Sequence, residues 1–396
     1  MKTLLKKLTL ALSLTVILTV VGCGSSNEVE PTPTPATSEA PEGEGAEGES
    51  TADAEAMKVV IVTSPSGVDD ASFNQDNYEG VLEYIEANPD VTVKAIQEED
   101  MAASVPAVEE VVADYDVIIT PGFQFAGIGE IAQENPDKKF ILVDSFPADA
   151  EGNEIEVENV YAMQFAEQES GFFAGIAAAK ETKTGKVAVV NGIAFPSNVN
   201  YQYGFEAGVN YANAKLGTTA ELVEIKAYAG TDVTGADVGG NYIGDFNDPT
   251  TGKVVGEALI DEGCDIMFVA AGGAGMGVMT AAKEATDVKI IGCDVDQFAD
   301  GENGDSNVIL SSAVKYMGLN VNRQLEAIGD GSFKGGNYVL KADTDSTGLV
   351  VEDGRQQLSA ETIEEVNAAY ELVKKGEVVP PSNFGGTTPE DFVGLK

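Results

Sequence analysis

The stretch KVVIVTSPSGVDDASFNQ, residues 58–75, contains a Val- and Ile-rich run, a loop with Gly and Pro, and the start of a helical pattern. The run predicts a strand over 58–64, and the pattern after the loop predicts a helix near 74–87. The same order repeats in TVKAIQ (92–97), DVIITPG (116–122), KFILVDS (139–145) and NVYAMQF (159–165), with helices predicted near 104–113 and 126–134. Strand runs separated by helices indicate βαβ units and parallel sheets that are buried on both faces.

A second series of the same kind begins with the helical stretch ESGFFAGIAAAK (169–180). Its strand runs are KVAVVNG (186–192), ELVEIKAY (221–228), CDIMFVAAGG (264–273) and VKIIGCDV (288–295), with helices predicted near 199–215, 252–262 and 276–285. Two α/β lobes in tandem are the simplest account of the two series.

The amino-terminal residues predict export and a lipid anchor. Residues 1–22 have a basic head, a short apolar run and small residues before Cys23, which is the pattern of a signal peptide followed by a lipidated cysteine. The run from Leu8 to Val21 is too short to favour the alternative, a transmembrane helix, which needs about 20 apolar residues. After Cys23, the sequence up to residue 56 contains PTPTP and Gly-Glu units. This composition predicts that residues 23–56 form a disordered acidic tether.

Composition excludes several classes of function. The net charge is −43, the wrong sign for nucleic-acid binding. The chain contains no His, which excludes His-dependent catalysis and His metal ligation. Apart from Cys23 there are two cysteines, Cys264 and Cys293, which we expect to be buried free thiols and neither a disulfide nor a metal site. We predict no cofactor and no metal.

The distinctive loops follow the predicted strands. They are SPSGVDDASFNQ (64–75), TPGFQFAG (120–127), FPSNVNYQYG (195–204), AAGGAGMG (270–277) and GCDVDQ (292–297). In open parallel sheets ligands bind beyond the carboxyl ends of the strands, so these loops predict a binding cleft between the lobes. AAGGAGMG lacks the lysine and spacing of a phosphate-binding loop.

Several of these segments together resemble the basic membrane protein family. The segments are GVDDASFNQDNYEG (67–80), PGFQFAGIGEIAQENPDKKFILVD (121–144), ESGFFAGIAAA (169–179), GKVAVVNGIAFPSNVNYQYGFEAGVNY (185–211) and IGCDVDQ (291–297). The family consists of surface lipoproteins that serve as substrate-binding components of ABC importers, and one branch binds purine nucleosides. The similarity extends over about residues 58–340.

The resemblance implies a type I periplasmic-binding-protein fold, with two Rossmann-like lobes joined by a hinge. We predict lobe one from 57–165 and about 296–335, and lobe two with the hinge from about 166–295 and 336–396. In the family's nucleoside receptors the purine lies between aromatic rings, while carboxylate and lysine groups hold the ribose.

Matching positions of this chain imply the ligand site. Phe73 and Asn74 match the first-lobe aromatic and amide, Asp294 the ribose carboxylate, and Lys315 the lysine; Asp296 is a weaker candidate than Asp294. Phe246 matches the second-lobe aromatic, with Tyr242 as a rival because the loop before it is long. Either Asp69 or Asp70 is expected to cap the helix that follows. The predicted ligand-binding residues are Ser64, Asp70, Phe73, Asn74, Phe123, Gln124, Phe246, Gly273, Asp294 and Lys315.

Two positions depart from the family pattern. Members usually carry Asp, which contacts the base, where this chain has Ser64, and they often carry a carboxylate after GFxF where this chain has Ala126. Ser64 and Gln124 could replace these acceptors, or the ligand could be another solute such as a sugar or an amino acid derivative.

The predicted function is that of a lipid-anchored solute-binding protein on the outer face of the cell membrane. It would bind a nucleoside and deliver it to an ABC permease and its ATPase, without catalysis. Two alternatives stay open: a nucleoside hydrolase with a metal held by Asp69, Asp70 and Asp294, and an adhesive or sensory lipoprotein with no permease partner.

Overall fold

A computed structural model describes residues 56–392 and 394 of the chain. The signal peptide, Cys23 and nearly all of the predicted tether lie outside the described residues. Within the part that is described, no helix is long and apolar enough to cross a membrane.

The helices and strands follow the predicted order of alternating elements. The amino-terminal part contains β1 (Lys58–Thr63), α1 (Phe73–Ala87), β2 (Thr92–Gln97), α2 (Ser104–Val111), β3 (Val117–Pro121), α3 (Gly129–Glu134), β4 (Lys139–Val143) and β5 (Val160–Phe165). The middle part contains α4 (Glu167–Glu181), β6 (Lys186–Asn191), α5 (Pro196–Lys215), β7 (Glu221–Leu222), β8 (Gly230–Thr231), β9 (Asp237–Gly239), α6 (Pro249–Asp261), β10 (Ile266–Ala270), α7 (Gly272–Glu284), β11 (Lys289–Asp294), β12 (Glu302–Asn303), β13 (Ser306–Asn307) and β14 (Ile309–Lys315). The last part contains α8 (Met317–Gly329), β15 (Gly336–Leu340), β16 (Thr347–Leu349) and α9 (Ala360–Lys374).

Most of the strands form two six-stranded sheets, which confirms the prediction of two α/β lobes; β8 pairs with β9 and β12 with β13. The first sheet has the order β15-β5-β4-β3-β1-β2, with every pair parallel. The second has the order β16-β14-β11-β10-β6-β7, in which only the β14–β16 pair is antiparallel. Most neighbouring parallel strands are joined through helices, whereas residues 144–159 join β4 to β5 and residues 295–308 join β11 to β14 without an α-helix.

The predicted lobe boundaries near the carboxyl terminus were wrong. Residues 296–335 were assigned to lobe one, but β14 pairs with β11 in the second sheet. Residues from 336 onward were assigned to lobe two, but β15 pairs with β5 in the first sheet. The local sequence of a strand does not specify which of two sheets the strand joins. The chain therefore crosses between the lobes after β5, after β14 and after β15, so lobe one comprises about 57–165 and 317–340.

Alternate residues of the central strands pack on opposite faces of each sheet. Val59 and Ile61 of β1 belong to one apolar cluster, and Val60 and Val62 belong to another. The second sheet repeats this arrangement at β6. Helices cover both faces of each sheet, so these Val and Ile side chains are fully buried. Each contributes about 1.5–3 kcal/mol of transfer free energy to folding. This packing holds the carboxyl ends of the strands in fixed positions.

Glycines allow neighbouring helices to pack very closely, as two contacts illustrate. A Cβ on Gly208 of α5 would lie 2.1 Å from the carbonyl oxygen of Phe172 in α4. A Cβ on Gly80 of α1 would lie 2.2 Å from the carbonyl oxygen of Gly318 in α8. The second contact fixes α1 to the segment that follows the β14 crossing, and so positions the start of α1 beside the end of β14.

Candidate functional site

A cavity of about 540 Å³ lies where the carboxyl ends of the two sheets face each other. Lobe one contributes the loops after β1, β2, β3 and β4, and lobe two contributes the residues after β6, β10, β11 and the end of β14. The lining residues are Ser64, Pro65, Ser66, Asp70, Phe73, Asn74, Glu99, Asp100, Met101, Gly122, Phe123, Gln124, Asp144, Ile193, Phe195, Ser197, Asn198, Tyr201, Asp245, Phe246, Asn247, Ala270, Gly272, Cys293, Asp294 and Lys315.

All of the predicted ligand-binding residues except Gly273 line this cavity. The neighbouring glycine, Gly272, lines the cavity in place of Gly273. Its φ is +51°, a conformation that glycine adopts readily. Asp69 and Asp296 do not line it; Asp296 accepts a hydrogen bond from Arg355 Nε at 2.5 Å instead.

The loop before α1 is ordered by Asp70. Its carboxylate accepts backbone N–H groups of Ser72 at 3.1 Å, Asn74 at 2.9 Å and Gln75 at 3.0 Å. Asp70 is therefore the helix cap that the sequence predicted for one of the two aspartates. Burial raises the pKa of Asp70 against the lowering effect of these hydrogen bonds. The cap orients the first turn of α1, which presents Phe73 and Asn74 to the cavity.

Asp294 connects the two lobes at the end of β11. Its Oδ2 accepts the hydroxyl of Ser72 in lobe one at 2.9 Å, and its Oδ1 accepts the hydroxyl of Tyr201 in lobe two at 3.0 Å. Its φ is +67°, a conformation that costs a non-glycine residue roughly 1–3 kcal/mol. Backbone strain of this size is typical of functional sites, and here it turns a carboxylate into the cavity.

Lys315, the last residue of β14, is surrounded by three carboxylates. Its Nζ lies 2.6 Å from Asp144 Oδ2, 3.5 Å from Glu167 Oε1 and 3.9 Å from Asp294 Oδ1, and its side chain is 2 % exposed. Burial lowers the pKa of Lys315, but the three carboxylates raise it by a larger amount, so the pKa lies above its usual value. The ammonium group also lies 4.9 Å from the centre of the Phe73 ring, within range of a cation–π interaction.

The carboxylates around Lys315 are themselves perturbed. Burial raises the pKa of Glu167 to about 8 and raises that of Asp144, although Lys315 opposes both changes. Glu167 Oε2 accepts a hydrogen bond from Asn200 Nδ2 at 3.0 Å. One ammonium group faces three acidic side chains, so burial and mutual repulsion favour the protonated form of a carboxyl in this cluster.

Sequence reasoning missed Asp144, Glu167 and Tyr201. Asp144 ends the run KFILVDS, and a carboxylate at the end of a buried strand is the same signal that identified Asp294, so it could have been found. Tyr201 lies within FPSNVNYQYG, and no feature of that segment distinguishes it. Glu167 is the first residue of α4, where acidic residues are common, so nothing in the neighbouring sequence indicates a role in the site.

The aromatic residues of the cavity come from both lobes. Phe195 of lobe two has its ring centre 5.8 Å from that of Phe123 in lobe one and 5.8 Å from that of Phe246. The rival aromatic, Tyr242, does not line the cavity: it is buried, and its hydroxyl donates to Gln202 Oε1 at 2.6 Å. Of the two candidates for the second-lobe aromatic, Phe246 lines the cavity, next to Phe195, and Tyr242 does not.

The two thiols are buried and free, as predicted. Burial raises the pKa of Cys264 to about 12 and the pKa of Cys293 well above its usual value. Among residues 56–392 and 394, no group of three or more Cys, Asp or Glu side chains is arranged to hold a metal ion. Asp70, Asp294 and Asp144 instead bind backbone N–H groups, hydroxyls and Lys315, respectively.

Two α/β lobes, three crossings between them and a polar and aromatic cavity at the facing strand ends define a solute-binding protein of the periplasmic type. The chain belongs to the family of PnrA-like ABC transporter substrate-binding proteins, whose model matches residues 57–225 and 233–383.

Relatives and solved structures agree with this family. The chain is 29% identical over 302 residues to the ABC transporter nucleoside-binding protein BmpA of Lactococcus lactis, covering 72% of this chain and 78% of the relative. It is 30% identical to basic membrane protein A1 of Borrelia garinii, covering 69% and 74% of the two chains. A solute-binding protein of an ABC transporter system from Aeropyrum pernix has the same fold, with a TM-score of 0.68 at 23% identity and coverage of 82% and 94%.

Proposed function

We propose that this substrate-binding protein binds a purine nucleoside in the cavity between its lobes and delivers it to an ABC permease. The observation that carries the proposal is the pairing of aromatic rings from both lobes with a polar end built from Asp294 and Lys315. The name of the Lactococcus relative, a nucleoside-binding protein, supports the same ligand class.

The polar end suits a ribose. A carboxylate has about four lone-pair sites, and Ser72 and Tyr201 occupy two of those on Asp294. The Cys293 thiol is a weak third donor, to Oδ1 at 3.5 Å, so Oδ2 keeps an open site that can accept a ribose hydroxyl. Lys315 holds the neighbouring carboxylates in place and can donate to a ribose oxygen.

The aromatic part of the cavity suits a flat heterocycle. Phe73 stands in lobe one, and Phe246 and Phe195 stand in lobe two, so a base inserted between them is stacked only when the lobes are together. Stacking on an aromatic side chain contributes about 1–3 kcal/mol per base. Binding therefore favours the closed arrangement, which the permease would recognise.

The remaining parts of the proposal concern anchoring and catalysis. We place the protein on the outer face of the cell membrane through a lipid on Cys23, and Cys23→Ala should move it from the membrane fraction to the medium. We assign no catalytic step, because Asp70, Asp144 and Asp294 are engaged with N–H groups, the lysine and hydroxyls.

The experiment is a thermal-shift screen of residues 23–396 with Cys23→Ser, followed by calorimetry. Purine nucleosides should raise the melting temperature, since a ligand specific to the folded state stabilises by RT ln(1 + [L]/Kd). Asp294→Ala and Phe73→Ala should abolish the shift. Shifts by sugars or amino acids, with none from nucleosides, would overturn the proposed ligand.

A further inference from the structure

The loop after β2 brings an unpaired carboxylate into the cavity. Glu99 lines the cavity and is exposed, and among the residues that the structure describes its carboxylate has no hydrogen-bond or ion-pair partner. Its neighbours are engaged: Glu98 Oε1 accepts the Asp100 N–H at 2.9 Å, and Asp100 Oδ1 accepts the Ala102 N–H at 2.9 Å. Glu99 is thus the cavity carboxylate of this loop with both oxygens open, whereas Asp100 has one oxygen engaged.

The loop lies beside the position where the family pattern has a base-reading aspartate and this chain has Ser64. The Glu98 N–H donates to the Thr63 carbonyl at 3.1 Å, and Gln97 Nε2 donates to the Pro65 carbonyl at 2.6 Å. These bonds tie the loop after β2 to the loop after β1. The carboxylate missing from one loop is therefore present on the neighbouring loop.

The two residues expected to replace the missing acceptors are partly engaged. Ser64 Oγ already accepts Asn74 Nδ2 at 3.0 Å, and Gln124 Nε2 donates to the Pro121 carbonyl at 3.1 Å. Neither carries a charge. Glu99 therefore offers two open carboxylate oxygens on this side of the cavity, where Asp100 offers one.

The order of the strands places Glu99 at the far end from the proposed ribose site. Asp144 follows β4, and the sheet order β4-β3-β1-β2 separates it from Glu99 by three strand steps, about 14 Å at about 4.8 Å a step. That distance accommodates a nucleoside with a hydrogen-bonding group at each end. With the ribose at Asp294 and Lys315, the edge of the base faces the loops after β1 and β2.

We infer that Glu99 reads the N–H edge of the base and makes the site prefer guanosine. A carboxylate accepts two parallel N–H donors, and guanine presents N1–H beside its N2 amino group. Hypoxanthine presents N1–H alone, and adenine presents an unprotonated N1 that repels a carboxylate. The inference rests on the proposed function, and it gives the order guanosine, then inosine, then adenosine.

The test is calorimetric titration of the chain 23–396 (Cys23→Ser) and its Glu99→Gln variant with the three nucleosides. A glutamine offers one donor and one acceptor, which match the N1 and N6 amino group of adenine. Glu99→Gln should weaken guanosine about tenfold, as expected for a lost charged hydrogen bond, and strengthen adenosine. A change that only impaired folding would weaken all three nucleosides alike.

Two matched variants complete the test. Glu86→Gln on α1 removes the same charge from an exposed position away from the cavity and should leave all three affinities unchanged. An altered preference in Asp100→Asn but not in Glu99→Gln would overturn the assignment. If the parent and Glu99→Gln bind each nucleoside with the same affinity, the inference about Glu99 is wrong but the proposed function stands. If the parent binds no nucleoside, the proposed function is wrong as well.

Discussion

Replacing Lys315 by Met tests how the polar end of the cavity is held together. Methionine keeps much of the length of the side chain but removes the ammonium group that faces Asp144, Glu167 and Asp294 at 2.6, 3.5 and 3.9 Å. Removing one partner of a buried ion pair costs about 3–5 kcal/mol, because the other charge is left buried without compensation. We expect a loss of that size in the free energy of unfolding at pH 8.

The loss should shrink at low pH. Burial already raises the pKa of Glu167 to about 8 and raises that of Asp144, and without the lysine both pKa values rise further. A carboxyl with a raised pKa in the folded protein contributes stability that is complete below its unfolded pKa and is lost as the pH rises through its folded pKa. At pH 5 the carboxyls of the variant take up protons, so the loss should fall to less than half.

The assay is urea unfolding of the parent protein and of the Lys315→Met variant at pH 5, 6.5 and 8. The matched control is Lys374→Met, which breaks the exposed pair between Lys374 and Asp345 at 2.7 Å and should hardly move the midpoint at any of these pH values. A Lys315→Met variant as stable as the parent at pH 8, or one with the same loss at pH 5 and pH 8, would refute the reasoning.

Three further changes probe features outside the cavity. Tyr242→Phe should lower the free energy of unfolding by about 1 kcal/mol through loss of its hydrogen bond to Gln202, yet leave ligand affinity in calorimetry unchanged; a large loss of affinity would place Tyr242 in the site after all. Burial raises the pKa of Glu206 to about 8, so its contribution to stability declines as the pH rises from about 4.5 through 8. Glu206→Gln should therefore gain stability over the parent in urea at pH 8.5 but not at pH 4.5, and a difference independent of pH would contradict this. Gly208→Ala should destabilise by about 1–3 kcal/mol, because its Cβ would lie 2.1 Å from the carbonyl oxygen of Phe172; an unchanged urea midpoint would show that α4 and α5 can separate.

The two α/β lobes could be predicted from sequence because buried parallel strands have a local signature. KVVIVTS and KVAVVNG are short apolar runs followed by loops, and periodicity is enough to recognise them. The sheet to which β14 and β15 belong could not be predicted, since pairing depends on which neighbour the fold brings alongside. The three crossings are decided by tertiary contacts, which leave no mark on the local pattern.

The candidate site divides in the same way. Phe73 and Asp294 have sequence signals, namely an aromatic in a polar loop and a carboxylate at the end of a strand. Glu167 has none, because its importance comes from burial beside Lys315, a residue far away in the chain. Glu99 lies in the acidic run QEED, which resembles a solvated loop until the pairing of β1 with β2 brings the loop after β2 next to the loop after β1.

The burial of both thiols has a practical consequence for observing this protein at work. Thiol-reactive dyes attack the thiolate, which Cys264 and Cys293 do not form near neutral pH. In a chain with Cys23→Ser, a cysteine introduced at the exposed cavity residue Asp245 would be the position that a maleimide fluorophore labels. Such a conjugate would turn solute capture into an optical signal and make the protein the basis of a reagentless biosensor.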